Sequence, residues 1–511
     1  MPSTNAVTTP RRAPGASNGD LFEVAGTRAY LIGIGGCGMA GMARMLRARG
    51  ANVSGSDLAA SEVTTALATE GIQVGFDQSR SWLPEICDLV IASAAVKPDH
   101  PQMLEAQRRG IPTLMYAEAL GKCMLGRTGI AVAGTHGKST TTAMLGAALT
   151  DAGLDPTVIV GATCGQLAAG CLAPSGTPTG FRLGSETIRT GALTGKPGVL
   201  VAEACEFNRS FHNYRPMFAS ISSVEADHLD VYGSFDEVIK AFHEFGELIA
   251  PASAGGTLLI AHERAQRTQV AAGLACEVQT IGFSPEADWC VGFDQATRRV
   301  TLSRQGEEVA DWGMTLPGTH NAMNAATACV LAHLAGGDLR QVTRSLSAFR
   351  GIDRRMQLLG ERPLPGGTVR VYDDYGHHPT EVDTTLRALR DYERPQDRGG
   401  KLVCVFQPHQ HSRTRHLLEE FATAFAAADT VIVPEIYFVR DSIEEKHKVT
   451  AKDLVIRLRE KGVKAMHLDP FEAIVEQLEN ICRPGDVLVV MGAGPVYKVG
   501  QGFLGAEPGQ T

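Results

Sequence analysis

Short apolar runs that end in glycine or an acidic residue recur along this chain, alternating with segments whose apolar positions repeat at helical spacing. The first pattern predicts buried parallel strands and the second the helices that cover them. A first block, residues 21–124, has strands at 29–32, 52–55 and 88–93 and a helix over 39–48. A second block, residues 125–350, has strands at 130–133, 198–202 and 218–222, a helix over 141–149 and a β-rich stretch over 256–316. The third block, residues 351–511, alternates strands at 368–372, 402–406, 430–433 and 487–491 with helices over 380–392, 413–427, 451–461 and 471–481. Such alternation predicts α/β domains with parallel sheets, whose ligands bind at the carboxyl ends of the strands. A Gly/Thr/Pro/Ser-rich stretch, 168–197, has weak periodicity and reads as a loop or hairpin insertion.

Composition narrows this picture little. At 511 residues the chain is too long for one core. Its net charge of −8 and lack of a dense basic stretch exclude nucleic acid as the expected partner. No apolar run reaches membrane-spanning length. The 11 cysteines are scattered without a C-x-x-C pair, which fits a reducing cytoplasm and neither a zinc site nor a redox motif. Residues 1–20, rich in Pro, Ser and Ala, read as a disordered tail.

Two glycine loops carry chemistry. Gly33-x-Gly35-Gly36-x-Gly38-Met39, between a strand and a helix, matches the dinucleotide fingerprint, with Asp57 placed to meet a ribose hydroxyl. It makes the first domain Rossmann-like. It suits NAD or any other diphosphate-bearing nucleotide, because the glycines and the helix N-terminus recognise phosphate. The second loop, Gly134-Thr135-His136-Gly137-Lys138-Ser139-Thr140, also sits between a strand and a helix. Its backbone N–H groups suit phosphate oxygens, Lys138 the terminal phosphates and Ser139 a Mg²⁺ ion. The leading glycine of the usual eight-residue pattern falls at Val132. Glu203, ending the next strand, stands where nucleotide-binding folds place a metal carboxylate. His228 follows another strand and joins Ser139 and Glu203 as a third candidate metal ligand. Asn321 and Asn324, at a turn before a helix, read as caps on spacing alone. Asp373 to Thr380 is the densest polar cluster, and Gln407 to Arg415 puts arginines at a helix start, where they suit carboxylate or phosphate.

Together these stretches resemble the Mur ligase family, ATP-dependent amide-forming enzymes of peptidoglycan synthesis. The resemblance rests on the two glycine loops, Glu203 to Glu206, Glu225 to His228, His320-Asn321, Arg354-Arg355, Asp373 to Glu381 and Phe406 to His409. It implies a Rossmann-like UDP-sugar domain (21–124), a central ATP/Mg²⁺ domain of P-loop type (125–350) and a Rossmann-like amino-acid domain (351–511). It implies that Gly35, Gly36, Gly38, Met39 and Asp57 hold the UDP-sugar, and that Lys138, His228 and Arg355 serve catalysis. It gives Gly134 to Thr140, His320, Asn321, Arg355 and Asp374 to ATP, and Ser139, Glu203 and His228 to the metal. Tyr375, His409 and Arg413 go to the amino acid. The run Asp374 to Glu381 points within the family to the joining of L-alanine to UDP-N-acetylmuramate through an acyl phosphate, by a cytoplasmic monomer or weak homodimer. The nearest alternative is a ligase that recycles muramoyl peptides; an NAD-dependent oxidoreductase is the alternative of another class. Three positions depart from the family pattern: Gln410 replaces a usual Arg, Cys205 an acid and Ala40 a serine. Segment 165–197 has no counterpart, and selectivity among alanine, glycine and serine is not encoded in these motifs.

Overall fold

A computed structural model describes residues 22–505, apart from residues 80, 265 and 440. The expected tail, residues 1–20, lies outside the described residues. Three sheets organise the fold. The first has five parallel strands in the order Gln73–Gly75, Asn52–Ser56, Arg28–Ile32, Leu89–Ala92, Thr113–Met115. Strand order reverses at Arg28–Ile32, so the glycine loop after it opens at the switch point, where such sheets bind ligands. Helix Cys37–Ala48 follows the loop and buries Met39, Met42, Met45 and Leu46 against the sheet.

The second sheet has ten strands. Its parallel centre is Phe218–Ile221, Thr128–Ala133, Val199–Glu203 and Thr157–Cys164, in that spatial order. Thr128–Ala133 and Val199–Glu203 are short, dense in Val, Ile and Ala and buried along nearly their whole length, as central strands covered on both faces must be. The β-rich stretch supplies the antiparallel ribbon Trp289–Asp294, Arg299–Arg304 and Glu307–Gly313 at one edge. The unassigned insertion supplies the other edge, strand Thr179–Arg182, paired antiparallel with Thr157–Cys164. Phe181 lies against Gly41, so this insertion bridges the first domain's helix to the central sheet; a Cβ at Gly41 would stand 3.2 Å from the Phe181 Cβ.

The third sheet has six strands, ordered Gln357–Leu364, Gly367–Asp374, Val487–Met491, Leu402–Phe406, Thr430–Val433, Ala465–His467. All pairs are parallel except the first, an edge ribbon that periodicity did not reveal. The segment expected as one helix over 413–427 is two, His411–His416 and Leu418–Ala424. No helix among the described residues is long and apolar enough to cross a membrane.

Candidate active site

The second glycine loop follows the central strand Thr128–Ala133. Gly137 adopts φ +81° and opens helix Lys138–Asp151, whose flanks are buried almost all round. Two glycines are there because the walls are close. A Cβ at Gly134 would stand 2.2 Å from the Ser222 hydroxyl, and one at Gly137 2.4 Å from Asn324 Oδ1. The loop is pinned to the end of the neighbouring strand: Thr135 N donates to Ser223 O (2.9 Å), His136 N to Ser223 Oγ (3.2 Å) and Ser222 Oγ to His136 O (2.6 Å). Such tethering holds the backbone N–H groups in position for phosphate oxygens before any ligand arrives.

Lys138 Nζ donates to the carbonyls of Gly134 (2.7 Å) and Thr135 (3.0 Å) and pairs with Glu206 at 2.9 Å. Burial alone would lower its pKa, but Glu206 and Glu203 override burial and raise it, so the ammonium stays charged. Ser139 Oγ donates to Glu203 Oε1 at 2.8 Å, and Glu203 Oε2 accepts from Gly161 N at 2.7 Å. A hydroxyl beside a carboxylate is the hard oxygen pair that Mg²⁺ prefers. His228 belongs to a second group that could hold a metal ion. Its ring meets Phe207 edge-on at 5.0 Å, and its nitrogen groups with Glu206 and Asp227, their ligand atoms within 4.8 Å of one another. The structure therefore brings Ser139 and Glu203 together and puts His228 in an adjoining acidic cluster.

The loop forms one wall of a cavity of about 460 Å³. His320, Asn321 and Asn324 form a second wall on helix Thr319–Leu334, which Gly318 caps without a side-chain hydrogen bond. The capping role expected of the two asparagines is thus corrected. Both lie inside the helix on its buried face, Asn321 Nδ2 donating to Pro317 O at 2.8 Å and Asn324 Nδ2 to Asn321 Oδ1 at 3.3 Å. His320 Nδ1 is buried with no hydrogen-bond partner among the described residues. Burial, aided by Arg355, lowers the His320 pKa to about 4, leaving a neutral ring.

The third domain closes the cavity. Arg355 pairs with Glu381 at 3.1 Å, and its guanidinium lies 5.3 Å from the Tyr375 ring centre. Arg354 turns the other way, to Asp373 (3.1 Å) and the carbonyls of Gly492 (2.8 Å) and Gly494 (3.2 Å), so the two adjacent arginines divide into one structural and one cavity-facing. Asp374 accepts from Met356 N (2.8 Å) and Gly376 N (2.7 Å). Burial, opposed by Arg355, raises its pKa to about 6. The cap of helix Pro379–Glu393 is His378, with Glu381 completing a capping box.

Across this junction His136 reaches Glu225 at 3.3 Å and Glu381 at 3.4 Å, while Thr380 Oγ1 donates to Glu225 at 2.8 Å. Burial would lower the His136 pKa, but the two carboxylates raise it from 6.5 to about 9. A protonated His136 makes the group formed with Glu225 and His378 an ion-paired latch between domains and not a cation site. Because the folded pKa exceeds the unfolded one, this stabilisation is complete below pH 6.5 and lost as pH rises through about 9. The thermal unfolding midpoint is therefore expected to fall between those pH values, and His136→Gln to flatten that fall; an unchanged slope in the variant would contradict the latch.

A smaller cavity, about 40 Å³, lies between Asp227, His228 and Leu229 of the central domain and Gln410, Arg413 and Leu417 of the third. Arg413 donates to Asp227 Oδ1 at 3.0 Å and meets His409 Nδ1 at 3.3 Å. Gln410, in place of the arginine, has φ +67° and donates to Val439 O at 3.3 Å, away from Arg413. In the first domain, Asp57 accepts from Gly35 N (2.7 Å) and Leu58 N (2.8 Å), bracing the loop. Gly36 caps the following helix; Gly38 lies under the Tyr116 ring, where a Cβ would approach the hydroxyl to 2.6 Å.

Family models match along nearly the whole chain: the Mur ligase family catalytic domain at residues 28–128, the Mur ligase middle domain at 132–332 and the Mur ligase glutamate ligase domain at 354–494. The UDP-N-acetylmuramate–L-alanine ligase of Agathobacter rectalis is 36% identical over 480 residues, 93% of this chain and 97% of that protein. The chain belongs to the Mur ligase family. The like-named ligase of Mycolicibacterium paratuberculosis is 37% identical to this Mur ligase over 495 residues, covering 93% and 94% of the two chains. The solved UDP-N-acetylmuramate–alanine ligase of Thermotoga maritima superposes with a TM-score of 0.71 at 25% identity, over 94% of this chain and 98% of its own. A murein peptide ligase of Psychrobacter arcticus shares the fold, with a TM-score of 0.69 at 24% identity over 94% and 98% of the chains. Sequence reasoning missed several groups of this Mur ligase's site. Phe283 and Arg264 reach the cavity from the β-rich stretch, where no local pattern marks them. Glu381 hid within a helix start, although its place three residues after His378 is the capping-box signal.

Proposed function

We propose that this Mur ligase joins L-alanine to the carboxylate of UDP-N-acetylmuramate at the expense of ATP, in the cytoplasm, as a step of peptidoglycan precursor synthesis. The observation that carries the reading is the junction itself. A phosphate-loop cavity and a small Arg413–Asp227 pocket adjoin where the central and third domains meet. The names of the relatives supply the substrates.

In this reading residues 21–124 hold the UDP-sugar through Gly35, Gly36, Gly38, Met39 and Asp57, so the first glycine loop serves a diphosphate and not NAD. Residues 125–350 hold ATP through Gly134 to Thr140, with His320 and Asn321 toward the base. Residues 351–511 bring Arg355 and Asp374 to the ATP site and Tyr375, His409 and Arg413 to the amino acid. Ser139 and Glu203 would hold Mg²⁺, with His228 at a second position; the ion supplies charge neutralisation on the phosphates. A carboxylate is a poor electrophile. Attack of the muramoyl carboxylate on the γ-phosphate gives an acyl phosphate and ADP; the alanine amine then displaces phosphate through a tetrahedral intermediate. Every reactant is anionic, which accounts for Lys138 and Arg355 in one site. Closure of the junction excludes water that would hydrolyse the acyl phosphate. One chain supplies every group, consistent with a monomer or weak homodimer.

A recycling ligase that adds a tripeptide is less well suited to a pocket of about 40 Å³. The test is phosphate release from ATP with UDP-N-acetylmuramate and a panel of amino acids and muramoyl tripeptide. Release that depends on L-alanine is expected. Release only with the tripeptide would favour the recycling reading, and no dependence on either would overturn both.

A further inference from the structure

An amino acid arrives with its amine as an ammonium, which has no lone pair, so the second half of the reaction proposed above needs a proton acceptor beside the incoming nitrogen. Five side chains form a row across the junction. Arg355 lies 5.3 Å from the Tyr375 ring centre; Tyr375 and His377 meet edge-on at 5.4 Å; His377 and His409 meet at 5.8 Å; His409 Nδ1 is 3.3 Å from Arg413 Nη1. One end of the row faces the phosphate cavity and the other the small pocket with Asp227. His377 stands midway along the row.

Its tautomer is fixed by geometry. Nδ1 lies 3.2 Å from the Tyr375 carbonyl and 3.4 Å from Glu381 Oε2, both acceptors only. The proton therefore sits on Nδ1, and Nε2 carries the lone pair. Among the described residues no hydrogen bond engages Nε2. The backbone holds the ring in place, His377 N donating to Glu381 Oε2 at 2.9 Å.

We infer that His377 Nε2 accepts the proton of the L-alanine ammonium, freeing the lone pair that attacks the acyl phosphate. This rests on the ligase reading above. The nitrogen–carbon bond forms, the carbon–oxygen bond to phosphate breaks, and the second N–H proton leaves with the phosphate; the His377 proton passes to solvent. The charged and titratable groups facing His377 are Glu381, Tyr375 and His409 of the third domain, Arg355 and Arg413, and Asp227 from the central domain. Burial lowers the His377 pKa to about 4, with Arg413 and Arg355 adding to burial and Glu381 and Asp227 opposing it. The ring is thus neutral at working pH. The anionic reactants offset the two arginines and raise its basicity as they bind. Asp227 cannot serve as this base, because Arg413 holds its carboxyl well below the usual range; it attracts an ammonium without keeping its proton.

The test uses two nucleophiles. Hydroxylamine is already neutral at pH 7.5 and traps acyl phosphates without a base. With ATP and UDP-N-acetylmuramate, His377→Asn is expected to lose ~100-fold in L-alanine-dependent phosphate release and to keep hydroxamate formation unchanged. Asn can still donate to the Tyr375 carbonyl, and His377→Gln is the second variant should Asn disturb the fold. The acid limb of the wild-type alanine rate is expected to vanish in both. Parallel losses with alanine and hydroxylamine, or no loss with alanine, would overturn the assignment. Absence of hydroxamate from the wild-type enzyme would instead overturn the ligase reading beneath it.

Discussion

Lys138→Ala is expected to lower turnover at least ~10³-fold while UDP-N-acetylmuramate still binds. The ammonium is embedded in the glycine loop itself, tied to the carbonyls of Gly134 and Thr135. Those two bonds make the loop a fixed frame around the charge, so a triphosphate that displaces Glu206 meets an ammonium already in position. The substitution removes that charge from the phosphates and leaves Glu206, only 3% exposed, without its counter-ion. An unpaired buried carboxylate then repels the same anion that the lysine attracted, so the two effects act in one direction. Sugar binding is spared because the first glycine loop belongs to another sheet and is braced by its own acid, Asp57. Calorimetry with UDP-N-acetylmuramate and phosphate release with all substrates separate the two properties. Retained turnover would remove Lys138 from the chemistry; lost sugar binding would mean that the substitution acts through folding.

The strands that carry the site were legible because each is buried on both faces and flanked by a glycine loop or an acid. Leu402–Phe406, Thr430–Val433 and Val487–Met491 have the bounds that their apolar runs indicate. The edge strand Gln357–Leu364 was not legible: it is half exposed, lacks a regular alternation and carries a glycine and a proline. Ser139 and Glu203 could be paired from topology, since one opens the helix after a central strand and the other ends the adjacent strand. The left-handed backbone of His228, φ +55°, and its grouping with Glu206 and Asp227 had no such signal. The same limit applies to the asparagines. A turn followed by Asn reads as a cap, yet Gly318 at φ +92° caps the helix three residues before Asn321, and both amides are buried. Arg354 and Arg355 were equivalent in sequence; with a positive φ of 59° at Arg354, one guanidinium turns to Asp373 and the other lines the phosphate cavity. Resemblance filled these gaps where spacing could not.

Arg355→Ala is expected to lower kcat ~10³-fold, with a smaller change in the KM for ATP. Unlike Lys138, Arg355 comes from the third domain, so its charge reaches the phosphates only when the junction is closed. An arginine supplied this way acts on charge that develops during transfer, which places its loss in kcat rather than in ground-state binding. The fold should tolerate the change. Glu381, its ion-pair partner, keeps the backbone N–H of His377 at 2.9 Å and of His378 at 3.3 Å, so the helix cap survives. Tyr375 loses one of two guanidinium neighbours and retains Arg354, 5.1 Å from its ring centre. Arg355→Lys is expected to recover only part of the rate, because an ammonium lacks the planar fork that spans two phosphate oxygens. Steady-state kinetics on both variants decide the matter. A rise in KM at constant kcat would make Arg355 a binding residue for ATP, and full activity of the lysine variant would reduce its role to charge alone.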